Sequence, residues 1–416
     1  MKAIILAGGY GTRLFPISLR TPKPLIPVAG KPVMQHIVEL LVSSGNREII
    51  VSLKKNQEKI QQYFADGKEF GAKMSYVYED NLPDDQKLGS VGALNYVFCH
   101  IPEIPKECIV IGADNFIVGL DLKKMQEHHR KKKAEATMAL FTLQNKNDVE
   151  NFGIAELDAT TGRIVKFQEK PRIHEAISNL ASTAVYHLEE GFVKEHLANY
   201  CNIKEKKGEK ADRIGDLWQH FVKDLHFSGY PFEGIWGDIG NIESYIETNK
   251  QGMQFMEKKI EGKIPKSATN LEKIVIGKDV KIAESAVLNE PVIIEEGCVI
   301  GEEAKIGPNT HLMRNSEVGA KSEITGSIIF ERVKIGSDAK IENSVIDGEA
   351  EIGAHTQIEN YSAIGFRASI GKNCKLFPRT KIYPFLKMAD SSTAEGEMIS
   401  DYKLRQKELE GSSYWL

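Results

Sequence analysis

Three cations stand close behind a glycine-rich turn: Arg13, Arg20 and Lys23 follow Gly8-Gly9-Tyr10-Gly11. The apolar run Ala3-Ile4-Ile5-Leu6-Ala7 leads into those glycines. Glycine lets backbone N–H groups turn inward and approach a ligand closely. A strand, a glycine loop and clustered cations together make a grip for phosphate. It is neither of the common grips. A P-loop needs GxxxxGK[ST], and no Lys-Ser/Thr follows these glycines. A dinucleotide fingerprint needs GxGxxG, and here Gly9-Tyr10-Gly11 leads to Thr12-Arg13-Leu14. A carboxylate, Asp114, follows a second apolar run, Cys108-Ile109-Val110-Ile111.

The elements that must position these groups alternate strand and helix as far as about residue 250. Strands are expected at Glu48–Leu53, Met74–Tyr78 and Cys108–Ile111. Between them, Val33, Ile37, Leu40 and Leu41 recur at the helical period within Pro32–Ser44, which stops at Gly45. Asn56–Asp66 and Val91–His100 read the same way. Continuous apolar strands separated by helices imply a mostly parallel sheet covered on both faces. Ligands of such sheets bind beyond the carboxyl ends of the strands. The glycine loop and Asp114 each directly follow a strand, so both belong at that edge. Further strands are expected at Ala136–Leu143, Gly153–Leu157, Ala184–His187 and His226–Tyr230, and helices at Asp212–Asp224 and Asn241–Met256. Lys204–Asp212 reads as a solvated charged loop, with a flap near a sugar as the alternative. His128-His129 reads as a solvated helix end.

After a polar stretch, 257–270, the period becomes six. Aliphatics stand at Ile276, Ile282, Leu288, Ile294, Ile300, Ile306, Leu312, Val318 and Ile324. They resume after phase slips, the first near Phe330, and run on to Ile382. Small residues such as Ala286, Cys298, Ala304 and Cys374 fill the fourth place after most of them, which makes both cysteines structural. This is the hexapeptide repeat of a parallel β-helix. Resemblance to hexapeptide proteins implies the left-handed triangular form, with three repeats per coil and about six coils. The expected division is therefore a catalytic domain at 1–256, a linker at 257–270, a β-helix at 271–384 and a tail at 385–416. The tail includes a short charged helix at Asp401–Glu410, and Trp415 and Leu416 are candidates to pack on the β-helix end or a partner subunit.

Gly8-Gly9-Tyr10-Gly11-Thr12-Arg13-Leu14-Phe15-Pro16, then Pro22-Lys23-Pro24-Leu25-Ile26-Pro27 and Lys31-Pro32, resembles the two-part signature of the sugar-nucleotide pyrophosphorylases, GGxGTRLxP and PKPLxPxxxKP. The resemblance covers nearly the whole chain. It implies a Rossmann-like doubly wound α/β domain followed by a left-handed β-helix. It also implies the reaction: a sugar-1-phosphate oxygen attacks the α-phosphorus of a nucleoside triphosphate, and pyrophosphate leaves. Such transfer asks the protein mainly for positioning and charge neutralisation.

By resemblance, Arg13 holds the β/γ end of the triphosphate and Lys23 bridges phosphates near the α-phosphorus. Asp114 in Ile111-Gly112-Ala113-Asp114-Asn115 and Asp238 in Trp236-Gly237-Asp238-Ile239-Gly240 resemble the family's metal carboxylates. Two carboxylates with phosphate oxygens and water suit Mg²⁺. Leu6, Ala7, Gly8, Gly9, Gly11 and Thr12 are expected to line the nucleotide. Gly89, in Leu88-Gly89-Ser90-Val91-Gly92-Ala93, is expected to contact the base through its backbone. Asp80–Lys87 ahead of it is a lid or a loop insertion. Glu169-Lys170-Pro171 resembles the family's EKP, with Lys170 on the sugar phosphate and Glu169 on a sugar hydroxyl; Gly153 lets the sugar approach the backbone. Ser182 stands where the family often has a sugar-binding Asn, and its hydroxyl reaches less far and lacks the amide fork. Arg20 lies between the signature halves and receives no role.

The wording of the signature looks most like mannose-1-phosphate guanylyltransferases, which implies GDP-mannose from GTP and mannose-1-phosphate. Glucose-1-phosphate thymidylyl-, uridylyl- and adenylyltransferases stay open. So do a β-helix acetyltransferase using His311 or His355 and a non-catalytic regulatory subunit. The 416-residue length favours two domains, and 41% apolar with 27% charged residues is a globular balance. A net charge of −4 gives no support for nucleic-acid or anionic-membrane binding. No apolar run approaches membrane-spanning length. Five cysteines without CxxC spacing suit free thiols in the cytoplasm. The flat faces of a β-helix suit homo-oligomer contacts.

Overall fold

The computed structural model describes residues 1–9, 11–55, 57–79 and 88–398. The expected loop at Asp80–Lys87, the helix at Asp401–Glu410 and Trp415–Leu416 lie outside the described residues. The chain divides into two compact units. One joins Met1–Gly9 to Val33–Trp236, and the other joins Tyr10–Pro32 to Gly237–Leu416.

The first unit is Rossmann-like. Its sheet is built from β1 (Lys2–Leu6), β2 (Glu48–Leu53), β3 (Lys73–Tyr78), β4 (Glu107–Gly112), β5 (Ala136–Thr142), β6 (Gly153–Leu157), β7 (Ile164–Glu169), β8 (Leu180–Glu189) and β9 (Phe227–Phe232). The order is β7-β6-β8-β4-β1-β2-β3, with β5 joining β8 to β9. The strands β4, β1, β2 and β3 are parallel. Strand β8 runs antiparallel to β4, β5 and β6. Ile4 and Ile5 of β1 and Val110 and Ile111 of β4 are fully buried, the continuous apolar reading of a strand covered on both faces. The helices between strands are α1 (Val33–Ser43), α2 (Glu58–Phe64), α3 (Ser90–His100) and α4 (Leu122–Lys132). Val33, Met34, Ile37, Val38 and Leu41 make the buried stripe of α1, and Gly45 at φ 85° follows its end.

Two expectations about this unit are corrected. Lys204–Lys206 is not loop: it closes α5 (Ala198–Lys206), ahead of α6 (Ile214–Phe221). His129 is not solvated. It is fully buried, with hydrogen bonds to Thr137 and Glu189, and its ring stacks on His187 with centroids 3.7 Å apart. His128 is half-buried and bonds the Ser228 hydroxyl at 2.8 Å. The four basic residues that close α4 made this face look wet, but only the next turn of it is.

The second unit is a left-handed parallel β-helix, together with α7 (Ile242–Met253) and the signature segment Gly11–Pro32. Three sheets of nine, seven and seven short strands stack along it. Partners stand eighteen residues apart at first, as Ile276 with Ile294 and Ile294 with Leu312. Two five-residue repeats, Ile324 to Ile329 and Ile341 to Ile346, shorten this locally to seventeen. The coils run further than the expected six, because Met388 and Ala394 continue the pattern with less apolar bulk. The stretch 257–270 also contributes: Lys259–Ile260 pairs with Val275–Ile276.

The repeat chemistry is visible at the corners. Small residues at the fourth place are buried, and those with a donor hand it to a carbonyl of the next coil. Ser316 donates to Phe330 O at 2.8 Å, Ser322 to Gly336 O at 2.7 Å and Cys298 to Met313 O at 3.1 Å. A buried polar group is thus satisfied without water. A Cβ at Gly301 would lie 2.7 Å from the backbone nitrogen of Ala320 in the next coil, which is why glycine recurs there.

Candidate functional site

At the carboxyl edge of the first sheet, Ala113 N–H donates to Leu6 O at 2.9 Å, so the ends of β1 and β4 are stitched together. That bond fixes the stretch carrying Asp114 beside the start of the glycine loop. Ala7 N–H donates to Ser52 O, and the Gln57 amide donates to Ala7 O at 3.0 Å. A Cβ at Gly8 would meet Glu79 Oε1 at 3.0 Å and Lys54 Cε at 3.1 Å. Glu79 is buried and accepts from the Ser52 hydroxyl at 3.0 Å. Burial raises its pKa, and Lys54 opposes the rise. The sequence reading missed this carboxylate. Its only signal was a lone Glu at the end of an expected strand.

Gly89 precedes α3 and packs against the backbone and side chain of Asp212, where a Cβ has no room. Ser90 Oγ donates to Asp212 O at 2.8 Å and accepts from Ile214 N–H at 3.0 Å. The end of the charged stretch 204–212 therefore packs on the Gly89 turn.

The residues expected at the sugar form a second group in this unit. Asp114 is half-buried, and its neighbour Asn115 accepts from Trp236 Nε1 at 2.8 Å. Trp236 packs on Phe152, with ring centroids 4.5 Å apart. A Cβ at Gly153 would strike the buried Phe167 ring and lie 3.2 Å from Glu169 Oε2. Glu169 lies against the first turn of α6, in space left by Gly215. Its pKa is raised by burial, against the pull of Lys170. Lys170 is exposed and held at φ 50°, and its N–H donates to Phe152 O at 3.1 Å. A non-glycine residue with positive φ just before a proline is strained backbone. The Ser182 hydroxyl lies 3.2 Å from that of Tyr186. Ala184, at φ 55°, occupies a break in register between β8 and β5, where the family motif has glycine.

The second unit holds the cations. Gly11, at φ 64°, starts a turn of 3₁₀ helix at Thr12–Leu14, and its carbonyl accepts from Ser18 Oγ at 2.7 Å. Thr12 and Arg13 are exposed. Lys23 is buried, with its Nζ 3.3 Å from Asp238 Oδ1. A Cβ at Gly240 would sit 2.9 Å from Asp238 Oδ2 and 3.6 Å from an Arg13 nitrogen, so Arg13 and Asp238 flank the same glycine. Asp238 is not a helix cap. Asn241 caps α7, accepting from Ser244 N–H at 2.9 Å in a reciprocal capping box. The carboxylate is thereby left for Lys23 and for chemistry.

The sequence-expected residues thus fall in two sets. Leu6, Ala7, Gly8, Gly9, Gly89, Asp114, Gly153, Glu169, Lys170 and Ser182 belong to the first unit. Gly11, Thr12, Arg13, Lys23 and Asp238 belong to the second. Among the described residues no group of three or more His, Cys, Asp or Glu is arranged to hold a metal. Mg²⁺ held by one or two carboxylates and substrate phosphates does not need such a group, and the hard oxygens of Asp114 and Asp238 fit it.

His311 is fully buried, with Nε2 2.7 Å from Glu295 Oε1, and His355 is a corner residue at φ 59°. All five cysteines are free, and Cys298 and Cys374 are buried at small-residue places. No helix among the described residues is long and apolar enough to cross a membrane.

Residues 2–254 match the family model described as nucleotidyl transferase, and residues 271–376 match that of the EIF2B subunit epsilon LbH domain. The chain is 35% identical over 254 residues to a UTP–glucose-1-phosphate uridylyltransferase of Synechocystis, covering 59% of this chain and 61% of that protein. It is 35% identical over 341 residues to the bifunctional protein GlmU of Methanococcus maripaludis, covering 80% of this chain and 74% of the relative. To a putative mannose-1-phosphate guanyltransferase of Sulfolobus acidocaldarius it is 28% identical over 329 residues, covering 79% and 76%. With the signature glycines, the cation cluster and a β-helix in one chain, this protein belongs to the nucleotidyl transferase family, in the class of the sugar-1-phosphate nucleotidyltransferases.

Proposed function

We propose that the chain makes GDP-mannose from GTP and mannose-1-phosphate, releasing pyrophosphate. The observation that carries the reaction is the cluster of Arg13, Lys23 and Asp238 around Gly11 and Gly240. Arg13 presents a planar fork to the β/γ-phosphates. Lys23 supplies a point charge nearer the α-phosphorus, which Asp238 keeps aimed. Lys170 takes the sugar phosphate, and Glu169 accepts from a sugar hydroxyl. Mg²⁺, with Asp114 and Asp238 as its carboxylates, would neutralise phosphate charge when bound. These groups draw charge onto the departing pyrophosphate, where stabilisation counts most.

The choice of guanine rests on Glu79 beside Gly8. Its Oε2 can accept from guanine N1–H or the exocyclic amine, two adjacent donors on one edge. Uracil and thymine offer one N–H between two acceptors, which suits a carboxylate less well. The mannose half rests on the wording of the signature. The test is a matrix of nucleoside triphosphates and hexose-1-phosphates with pyrophosphate detection. GTP with mannose-1-phosphate should give the highest kcat/KM. A uridine or thymidine triphosphate leading with glucose-1-phosphate overturns the base and sugar but keeps the reaction. No pyrophosphate from any pair overturns the reaction as well.

A further inference from the structure

Arg20 received no role from the sequence, yet it is 3% exposed. Its guanidinium forks between two carboxylates, Nη1 to Glu331 Oε1 and Nη2 to Asp347 Oδ1, each at 2.8 Å. Both acids are buried, and the Gly348 N–H also donates to Asp347 Oδ1 at 2.7 Å. The guanidinium lies over the Phe366 ring, 4.6 Å from its centroid. A Cβ at Gly348 would sit 3.0 Å from an Arg20 nitrogen and 2.9 Å from Glu331 Oε1, so the corner is kept small where the cation enters. Glu331, Asp347 and Phe366 follow the strands Ile328–Ile329, Val345–Ile346 and Ala363–Ile364 of one sheet. One side chain therefore grips three consecutive coils. The first two follow the five-residue repeats that break the six-residue period.

The face of that sheet is covered. Its outward residues Ile293, Ile328, Val345 and Ala363 are buried, whereas the outward Val287 and Val299 of the other two sheets are 40% and 39% exposed. The cover is α7 and the signature segment. Tyr245 of α7 donates to Pro27 O at 2.8 Å, and Asn249 accepts from Ala29 N–H at 2.8 Å. Gln254 and Glu247 reach Asn309 and Tyr361 of the coils. Arg20 lies three residues before Lys23. It closes the 3₁₀ turn whose Ser18 hydroxyl holds Gly11, two residues before Arg13.

We infer that Arg20 is a positioning residue: by seating the Gly11–Pro32 segment on three coils of the β-helix, it holds Arg13 and Lys23 in place for nucleotidyl transfer. The β-helix is then part of the machinery that grips the triphosphate, in addition to any role in assembly. Removing one member of a buried ion triad leaves an uncompensated charge, whereas an apolar replacement of the whole set is tolerated far better. This guides the choice of variants.

The inference rests on the proposed nucleotidyl transfer, and the experiment separates the two. In the full chain, Arg20→Lys keeps the charge but loses the fork. Arg20→Met/Glu331→Leu/Asp347→Leu removes all three charges. Two readouts are taken on each: amide hydrogen exchange, and steady-state pyrophosphate release with both substrates varied. In both variants exchange across 11–32 should rise at least about tenfold while the coils keep the parent's protection. The kcat/KM for the triphosphate should fall at least about tenfold, with KM for the sugar phosphate within about twofold. Unchanged exchange across 11–32 overturns the inference. So does faster exchange there with kcat/KM for the triphosphate within about twofold of the parent, and so does loss of protection throughout the coils in both variants. A parent chain that releases no pyrophosphate overturns the reaction alone, and the exchange readout still decides whether Arg20 seats the segment.

Discussion

Arg13 and Lys23 are both cations of the phosphate grip, but they are held differently. Lys23 is buried against Asp238, and Arg13 is exposed beside Gly240. Arg13→Ala removes a fork that acts on charge developing in the transition state. Pyrophosphate release should fall roughly 100- to 1000-fold with the melting temperature little changed. Glu79→Gln exchanges one acceptor oxygen for an amine beside Gly8. If guanine is read there, kcat/KM for GTP should drop at least about tenfold while the other triphosphates gain relative to it. Ala184 tests residue-scale strain. Its φ of 55° suits glycine, so Ala184→Gly should stabilise the fold by roughly 1 kcal/mol, read as a higher melting temperature. Most of these residues were legible because they sit in a fixed motif. Glu79 was not, because its significance comes from Gly8 and Ser52, residues far from it in sequence.

At the scale of elements, glycines decide how closely strands and turns approach. Gly153→Ala would drive a methyl into the buried Phe167 ring, and the adjacent Glu169 would have to move as well. A loss of roughly 1–3 kcal/mol in stability is expected from overpacking. The KM for the sugar phosphate should rise as well, which an assay on the folded fraction would read. The β-helix was legible element by element, since neither an α-helix nor an ordinary strand repeats its aliphatics every six residues. The two short repeats were visible as phase slips. Why the chain shortens there became visible only with Glu331 and Asp347 placed around Arg20. The helix α5 was hidden by charge: Lys204–Lys206 reads as loop when Tyr200, buried one turn earlier, is not counted.

At the scale of the molecule, the first unit carries a pH-dependent element. His187 is buried beside His129, and its pKa is pushed down to about 3, despite Glu107 2.8 Å from its Nε2. Burial lowers the pKa of His129 too, against Glu189. Arg130, which pairs with Glu107, faces the same cluster. A depressed histidine pKa means the unfolded chain binds more protons below the ordinary value of 6.5. Stability is therefore complete above that value and is lost as pH falls through the window between 6.5 and about 3. For His187 alone the loss from pH 7 to pH 5 should be roughly 2 kcal/mol. Denaturant melts at the two pH values check it, and His187→Gln should flatten the dependence.

The two architectures and the chemical class follow from residue order alone. Local periodicity and a fixed motif specify them, and neither needs distant partners. Which unit owns which part of the motif is instead a matter of long-range packing. The signature parts company between Gly9 and Gly11, with the strand and first glycines in the α/β unit and Arg13 through Lys23 in the unit of the β-helix. The physical reason is Arg20. A lone arginine between motif halves carries no local signal, and its partners stand more than 300 residues away. Desolvating that cation requires two carboxylates and an aromatic face at once, and only the stacked coils bring them to one point.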